Sequence, residues 1–282
     1  MKVLSIQSSV AYGHVGNSAA VFPLQRLGHE VWPVLTVHFS NHTGYGDWRG
    51  PLLAPADVRE VIVGLADRGV LGTADAVLSG YLGDPAMGHV VLDAVAQVKE
   101  LSPGAVYCCD PVIGDVGRGI FVRPGIPEFL RDEVVPRADI LTPNQFELDF
   151  LTGRTTTSPE EVVAAADQLR ERGPRHVLVT SVRYPGVDDT LDVVAVSDEG
   201  AWSVTTPLLP ITPSGGGDLT AALYLAHLLD TGSPAIAAER TTSSVFAVLE
   251  ATLAAGAREL QIVAAQDAIA HPPARFAARR LR

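Results

Sequence analysis

Apolar residues along this chain fall into two alternating patterns. Short β-branched runs, Val3-Leu4-Ser5-Ile6, Val31 to Val37, Ala76-Val77-Leu78, Val106 to Cys109 and Val177-Leu178-Val179, are separated by longer helical stretches. Strands alternating with helices predict an α/β fold whose central sheet is mostly parallel and flanked by helices. Val193 to Val196 and Trp202 to Thr205 follow, separated by Asp198-Glu199-Gly200, and predict a hairpin on the later edge of the sheet. The pattern then turns helical. Leu219 to Leu229 is apolar nearly all round and stops at Asp230-Thr231-Gly232, while Ala235 to Ala255 is rich in Ala with apolar residues at helical spacing. Both are expected to pack in the core. Internal repeats, low-complexity tracts and long Pro/Gly linkers are absent, which predicts one domain over residues 1–282. The basic stretch Arg275 to Arg282 reads as a solvated end.

Val37 to Trp48 fits neither pattern. Aromatic, imidazole and small polar groups crowd together there, which suits a site wall or a lid-like flap over residues 37–50 and equally an ordinary surface loop with buried aromatics. His38 and His42 are four apart, but Gly44 and Gly46 beside them argue against a metal-binding helix, so no transition metal is expected.

Composition narrows the function. Lys and Arg number 21 against 32 Asp and Glu, a formal net charge of −11, so the overall field repels nucleic acid and anionic membranes. Any phosphate must be held locally. No uninterrupted apolar run reaches the roughly 18 residues of a membrane span, and the first residues turn polar too early for a signal-peptide core. The only cysteines, Cys108 and Cys109, are adjacent and poorly placed for a disulfide. A reduced, cytoplasmic setting is expected.

Ser214-Gly215-Gly216-Gly217-Asp218, running straight into the helix from Leu219, is the strongest chemical signal. Glycines let the backbone approach a ligand closely, and a helix N-terminus offers free N–H groups and a positive dipole end to an anion. Asp218 reads either as a plain N-terminal cap or as a general base, the latter requiring it to reach a substrate hydroxyl while the glycine amides hold a phosphoryl group. Asp110-Pro111-Val112-Ile113-Gly114-Asp115 follows a strand, where ligands gather in open α/β sheets, or is a polar turn. Thr142-Pro143-Asn144-Gln145-Phe146-Glu147 offers oxygen donors suited to hydrated Mg²⁺, or is a helix cap. No G-x-x-x-x-G-K-[ST] is present, and Gly13-His14-Val15-Gly16-Asn17 does not match a dinucleotide fingerprint and reads as a strand-to-helix turn.

Taken in order, several segments closely resemble the pyridoxal kinases of the ribokinase-like superfold. They are Ile6-Gln7-Ser8, Tyr12 to Asn17, Phe39 to Thr43, Ser79-Gly80-Tyr81, Cys109 to Val112, Thr142-Pro143-Asn144 with Glu147, and Gly215 to Asp218, with Val263 to Asp267 as a late match. The resemblance spans almost the full length. It implies a ribokinase-like kinase that moves the γ-phosphoryl group of ATP to the 5′-hydroxymethyl of pyridoxal, and of pyridoxine or pyridoxamine, in vitamin B6 salvage. By the same resemblance Ser8, Thr43, Gly44 and Tyr81 surround the pyridine ring, Gly215, Gly216 and Gly217 form the anion hole, and Asp218 is the base. Asp110, Asp115, Thr142, Glu147, Thr180 and the stretch Thr206, Pro207, Leu208 and Leu209 are implied around ATP, with Asp110 and Glu147 toward Mg²⁺ and K⁺ as a further cation. A homodimer is implied as well.

Two features depart from the resemblance. Thr206 to Pro213 is shorter than in some bacterial relatives and carries no basic residue, and Thr180 stands where some relatives place a lysine. The rival reading within the superfold is a hydroxymethylpyrimidine kinase, a family that typically carries Cys rather than Asp after the glycines. A vitamin-binding protein without turnover is the rival of another class.

Overall fold

The computed structural model describes residues 1–282. In chain order its elements are β1 (Lys2–Val10), α1 (Asn17–Arg26), β2 (Glu30–Phe39), α2 (Pro55–Asp67), β3 (Ala76–Ser79), α3 (Pro85–Leu101) and β4 (Val106–Cys109). A small hairpin of β5 (Gly114–Asp115) and β6 (Gly119–Ile120) precedes α4 (Ile126–Phe129), β7 (Ile140–Leu141), α5 (Gln145–Thr152) and α6 (Pro159–Arg170). The last part holds β8 (His176–Val182), β9 (Thr190–Ser197), β10 (Gly200–Pro207), α7 (Gly216–Thr231), α8 (Pro234–Ala254), α9 (Gln266–Ala270) and β11 (Arg279–Arg280).

Nine strands form one sheet in the order β11-β10-β9-β8-β7-β4-β3-β1-β2. Neighbours from β2 to β8 are parallel, and β9, β10 and β11 add on antiparallel. Each expected strand is present, and both faces are covered, as near-continuous apolar strands require. Side chains alternate between the faces. Leu4, Ile6, Val77, Tyr107, Cys109 and Leu141 pack with α2, α3, α5 and α6, whereas Val3, Ala76, Leu78, Cys108 and Ile140 pack with α1, α7 and α8.

The C-terminal residues are not a free solvated end. Arg279 and Arg280 pair with Ser203 and Trp202 of β10, Leu281 packs on the core, and Arg282 forms an ion pair with Asp167. The hairpin β9–β10 is therefore one strand in from the edge. A strand's open N–H and C=O groups accept such a partner whatever its side chains, so charge composition alone misreads this stretch.

Residues 40–49 leave the end of β2 as a flap and fold back on it. The Ser40 N–H donates to the Arg49 carbonyl and the His38 N–H to the Pro51 carbonyl, with a single turn of 3₁₀ helix at Thr43–Tyr45.

Candidate active site

The carboxyl ends of the parallel strands converge with the N-terminus of α7. Helix α7 starts at Gly216, the second glycine of the run, with Gly215 at its N-cap in left-handed geometry (φ 91°). A Cβ on Gly215 would collide with the His14 carbonyl, so this glycine is fixed by the turn between β1 and α1. Gly216 has open space around its Cα, as a backbone that must meet a ligand needs. Asp218 is the third residue of the helix and not its cap, so the capping reading of Asp218 gives way.

The remaining groups close around it. Gly80 follows β3 and approaches both the Gln7 side chain and the Asp218 carboxylate, and Gly217 faces Asp110 Oδ2. Ser8 packs against Gly16, whose N–H hydrogen bonds to the Asp218 carboxylate. Buried Asn17 donates to the carbonyls of Ser5, Gln7 and Val34 at 3.1–3.3 Å and so fixes this turn to the ends of β1 and β2. Tyr81 is half-buried, and its carbonyl accepts from the Thr36 hydroxyl.

Three carboxylates share the site without a cationic partner. Burial pushes Asp218 up to about 6, opposed by the N–H groups of Gly16 and of Asp218 itself. Asp110 lies well above the usual carboxylate range because it is buried and because Glu147 and Asp218 stand near, and only a long bond of 3.5 Å from Thr142 favours its charged form. Burial also raises Glu147, to about 7, against the pull of three backbone N–H groups.

Glu147 serves two ends. Its Oε2 accepts from the Asn144 N–H at 2.9 Å, and Asn144 Oδ1 accepts from the Glu147 N–H at 2.9 Å, a reciprocal capping box at the start of α5. Its Oε1 accepts from Ile113 at 2.9 Å and Gly114 at 3.4 Å, tying down the loop after Asp110. The capping reading of this motif therefore holds, together with a tie to the acidic loop. Asp115 turns into its own hairpin and accepts from the Val116 N–H.

Thr142 directly follows β7 and Thr180 lies in the second half of β8, its N–H donating to the Pro143 carbonyl. Next to Thr180, Ser181 holds φ 54°, the one non-glycine residue with a left-handed backbone, at a bulge in β8. Such strain collects at ligand sites. Because β10 runs in the direction of β8, Thr206, Pro207, Leu208 and Leu209 emerge at this same edge, held by the Leu208 N–H bond to the Asp189 carbonyl.

Thr43 and Gly44 stand apart from this cluster, on the exposed flap. Between flap and body lies a polar cleft of about 310 Å³ lined by His42, Tyr45, Arg118, Ser214, Arg258 and Glu259 among others. Burial, then the nearby Arg118 charge, lowers the pKa of His42, whose Nδ1 faces the Ser214 hydroxyl at 3.1 Å. Sequence reasoning does not find Arg118, Arg258 or Glu259. Their only trace is a charged pair just past an Ala-rich helix and an arginine in a glycine turn.

Comparison with known proteins identifies the family and the fold. Residues 70–262 match the phosphomethylpyrimidine kinase family. Pyridoxal kinase PdxY of Rubrobacter xylanophilus is 58% identical over 100% of this chain and 98% of its own length, and that of Leifsonia xyli is 57% identical over 100% of both. The fold superposes on pyridoxal kinase from Leishmania donovani in complex with ADP and ginkgotoxin with a TM-score of 0.93, at 29% identity, covering 100% of this chain and 99% of that one. The α/β architecture with its flanked, mostly parallel sheet is thus ribokinase-like. The chain belongs to the phosphomethylpyrimidine kinase family and, within it, to the PdxY pyridoxal kinases.

Proposed function

We propose that this chain is an ATP-dependent pyridoxal kinase, phosphorylating the 5′-hydroxymethyl group of pyridoxal, and of pyridoxine and pyridoxamine, with Asp218 as catalytic base. One observation carries the assignment: an unpaired carboxylate, raised to about 6, sits in the first turn of α7 beside the free N–H groups of Gly215 to Gly217. A base with that value is ionised at neutral pH yet still takes a proton readily. The hydroxymethyl proton passes to Asp218 as the oxygen attacks the γ-phosphorus. The bond from phosphorus to the bridging oxygen breaks, and ADP leaves. Glycine amides and the positive end of α7 take up charge on the phosphoryl oxygens without adding a formal charge.

Ser8, Tyr81, Thr43 and Gly44 bound the vitamin ring in this reading, and Asp110, Asp115, Thr142, Glu147, Thr180 and Thr206 to Leu209 bound the nucleotide. Asp110 and Glu147 suit Mg²⁺, because both are buried acids with no Lys or Arg beside them. No cluster of three or more His, Cys, Asp or Glu side chains forms a protein cage, which fits an ion that keeps waters and phosphate oxygens in its shell. When bound, Mg²⁺ would neutralise phosphate charge. K⁺ belongs to the same reading, since a chain of net charge −11 needs cations to accept ATP.

The kinase acts as one domain, in the cytoplasm, as a homodimer. Free, buried Cys108 and Cys109 support a reducing setting, and exposed Tyr12, Trp48 and Leu52 near the flap support an interface there. No helix is long and apolar enough to cross a membrane. The family match alone would also admit hydroxymethylpyrimidine as acceptor, but Asp218 after the glycines and the high identity to PdxY proteins favour pyridoxal.

Release of ADP from Mg·ATP in the presence of pyridoxal tests the assignment. Wild type should turn over, and Asp218→Ala should bind pyridoxal without doing so. Binding by both without ADP release would make the protein a vitamin-binding protein instead.

A further inference from the structure

The flap is held by residues far away in the sequence. Glu259, after α8, is 8% exposed, and its carboxylate is shared between two segments. Oε1 accepts from the Tyr45 hydroxyl at 2.7 Å and Oε2 from the His14 N–H at 3.1 Å. Gly13 has φ +97°, and a Cβ there would run into this carboxylate, so the turn between β1 and α1 is shaped to admit it. Arg258 lays its guanidinium 3.6 Å from the centre of the Tyr45 ring and donates to the Gly44 carbonyl at 2.5 Å.

These contacts matter because, beyond the bonds that fold the flap back on β2, only the His42–Ser214 hydrogen bond and the edge of Tyr12 against Tyr45 add to them at the Thr43–Tyr45 turn. Thr43, Gly44, Gly46 and Asp47 are exposed, and a segment with few buried apolar groups opens at low cost. We propose that Glu259 and Arg258 are positioning residues that latch Tyr45 and Gly44, and thereby keep the Thr43–Gly44 turn closed over the vitamin pocket. The inference rests on the reading of Thr43 and Gly44 as part of that pocket. Released from the latch, the flap is closed for only a fraction of the time, and apparent affinity for the vitamin falls by that fraction. Neither Tyr45 nor Arg258 hydrogen bonds to Asp218 or the glycine run, and the Glu259–His14 bond beside Gly215 remains when either is changed, so Asp218, the glycines and the nucleotide side keep their properties.

The test compares full-length wild type with Tyr45→Phe, which removes only the hydroxyl, and Arg258→Met, which keeps an unbranched apolar stem. Rates are measured against pyridoxal at saturating ATP and against ATP at saturating pyridoxal, alongside Tm and the rate of tryptic cleavage after exposed Arg49 in the flap. Loss of one hydrogen bond or one stacked cation predicts a rise of about fivefold in KM for pyridoxal. Cleavage at Arg49 should accelerate, while kcat, KM for ATP and Tm stay near wild type. Unchanged KM for pyridoxal and unchanged cleavage would overturn the latch, as would a joint fall of kcat, both affinities and Tm. If wild type itself fails to phosphorylate pyridoxal, the functional reading fails instead, and Arg49 cleavage still decides whether the latch exists.

Discussion

Replacing Asp218 with Asn should make the protein more stable and nearly inactive. The carboxyl titrates at about 6 in the fold against an ordinary value of 3.8, so the fold disfavours the charged form by about 2 pK units. At 1.36 kcal/mol per unit the ceiling is about 3 kcal/mol, and partial exposure of the group brings the expected gain to about 1–2 kcal/mol. The cost of the buried charge is absent below pH 3.8, grows as pH rises toward 6, and is complete above it. Asn keeps an oxygen that can accept from the Gly16 N–H, and its neutrality also relieves Asp110. Thermal melts should therefore show the variant higher by about 3–6 °C at pH 8, with the difference shrinking toward pH 4. Turnover should fall by about 10²–10⁴, the range lost with a general base. A variant melting at or below wild type at pH 8, a gain independent of pH, or retained kcat would each refute this reasoning.

Four further outcomes rest on the same geometry. The rate kcat/KM for pyridoxal should rise with pH through about 6 as Asp218 loses its proton, and a flat profile between pH 5 and pH 7 would remove it as the base. Gly215→Ala, at φ 91° and against the His14 carbonyl, should cost about 2–4 kcal/mol in denaturant titration. Gly216→Ala, with open space around it, should keep the wild-type Tm and lose affinity for ATP, since its methyl group meets only the ligand. Removing Arg279 to Arg282 uncovers the β10 edge and breaks the pair with Asp167, so Tm should drop by about 2–6 °C while both KM values hold.

Much of this fold is legible in the sequence because its strands are buried on both faces. Val3 to Ile6 or Val106 to Cys109 has nowhere to go but the middle of a sheet, and the helices between force parallel crossovers. The glycine run is legible for another reason, since Gly215 takes a left-handed backbone and Gly216 leaves open space at a helix start. Arg279-Arg280 is not legible, because edge pairing uses backbone groups that every residue has. Nor is the pairing of Glu259 with Gly13 and Tyr45, where each partner is ordinary and only the fold brings them together across separations of 214 to 246 positions. Glu147 lies between these cases: its capping box can be read from Asn144-Gln145-Phe146-Glu147, but its hold on Ile113 and Gly114 spans more than 30 positions and arises only in the fold.

The central claim is tested most directly by comparing pyridoxal with hydroxymethylpyrimidine as acceptors, under identical Mg·ATP and K⁺, and identifying the phosphorylated product by mass. The account predicts pyridoxal 5′-phosphate from wild type, with kcat/KM for pyridoxal well above that for hydroxymethylpyrimidine, and no product from Asp218→Ala. Turnover confined to hydroxymethylpyrimidine, or equal product from the Ala variant, would contradict it.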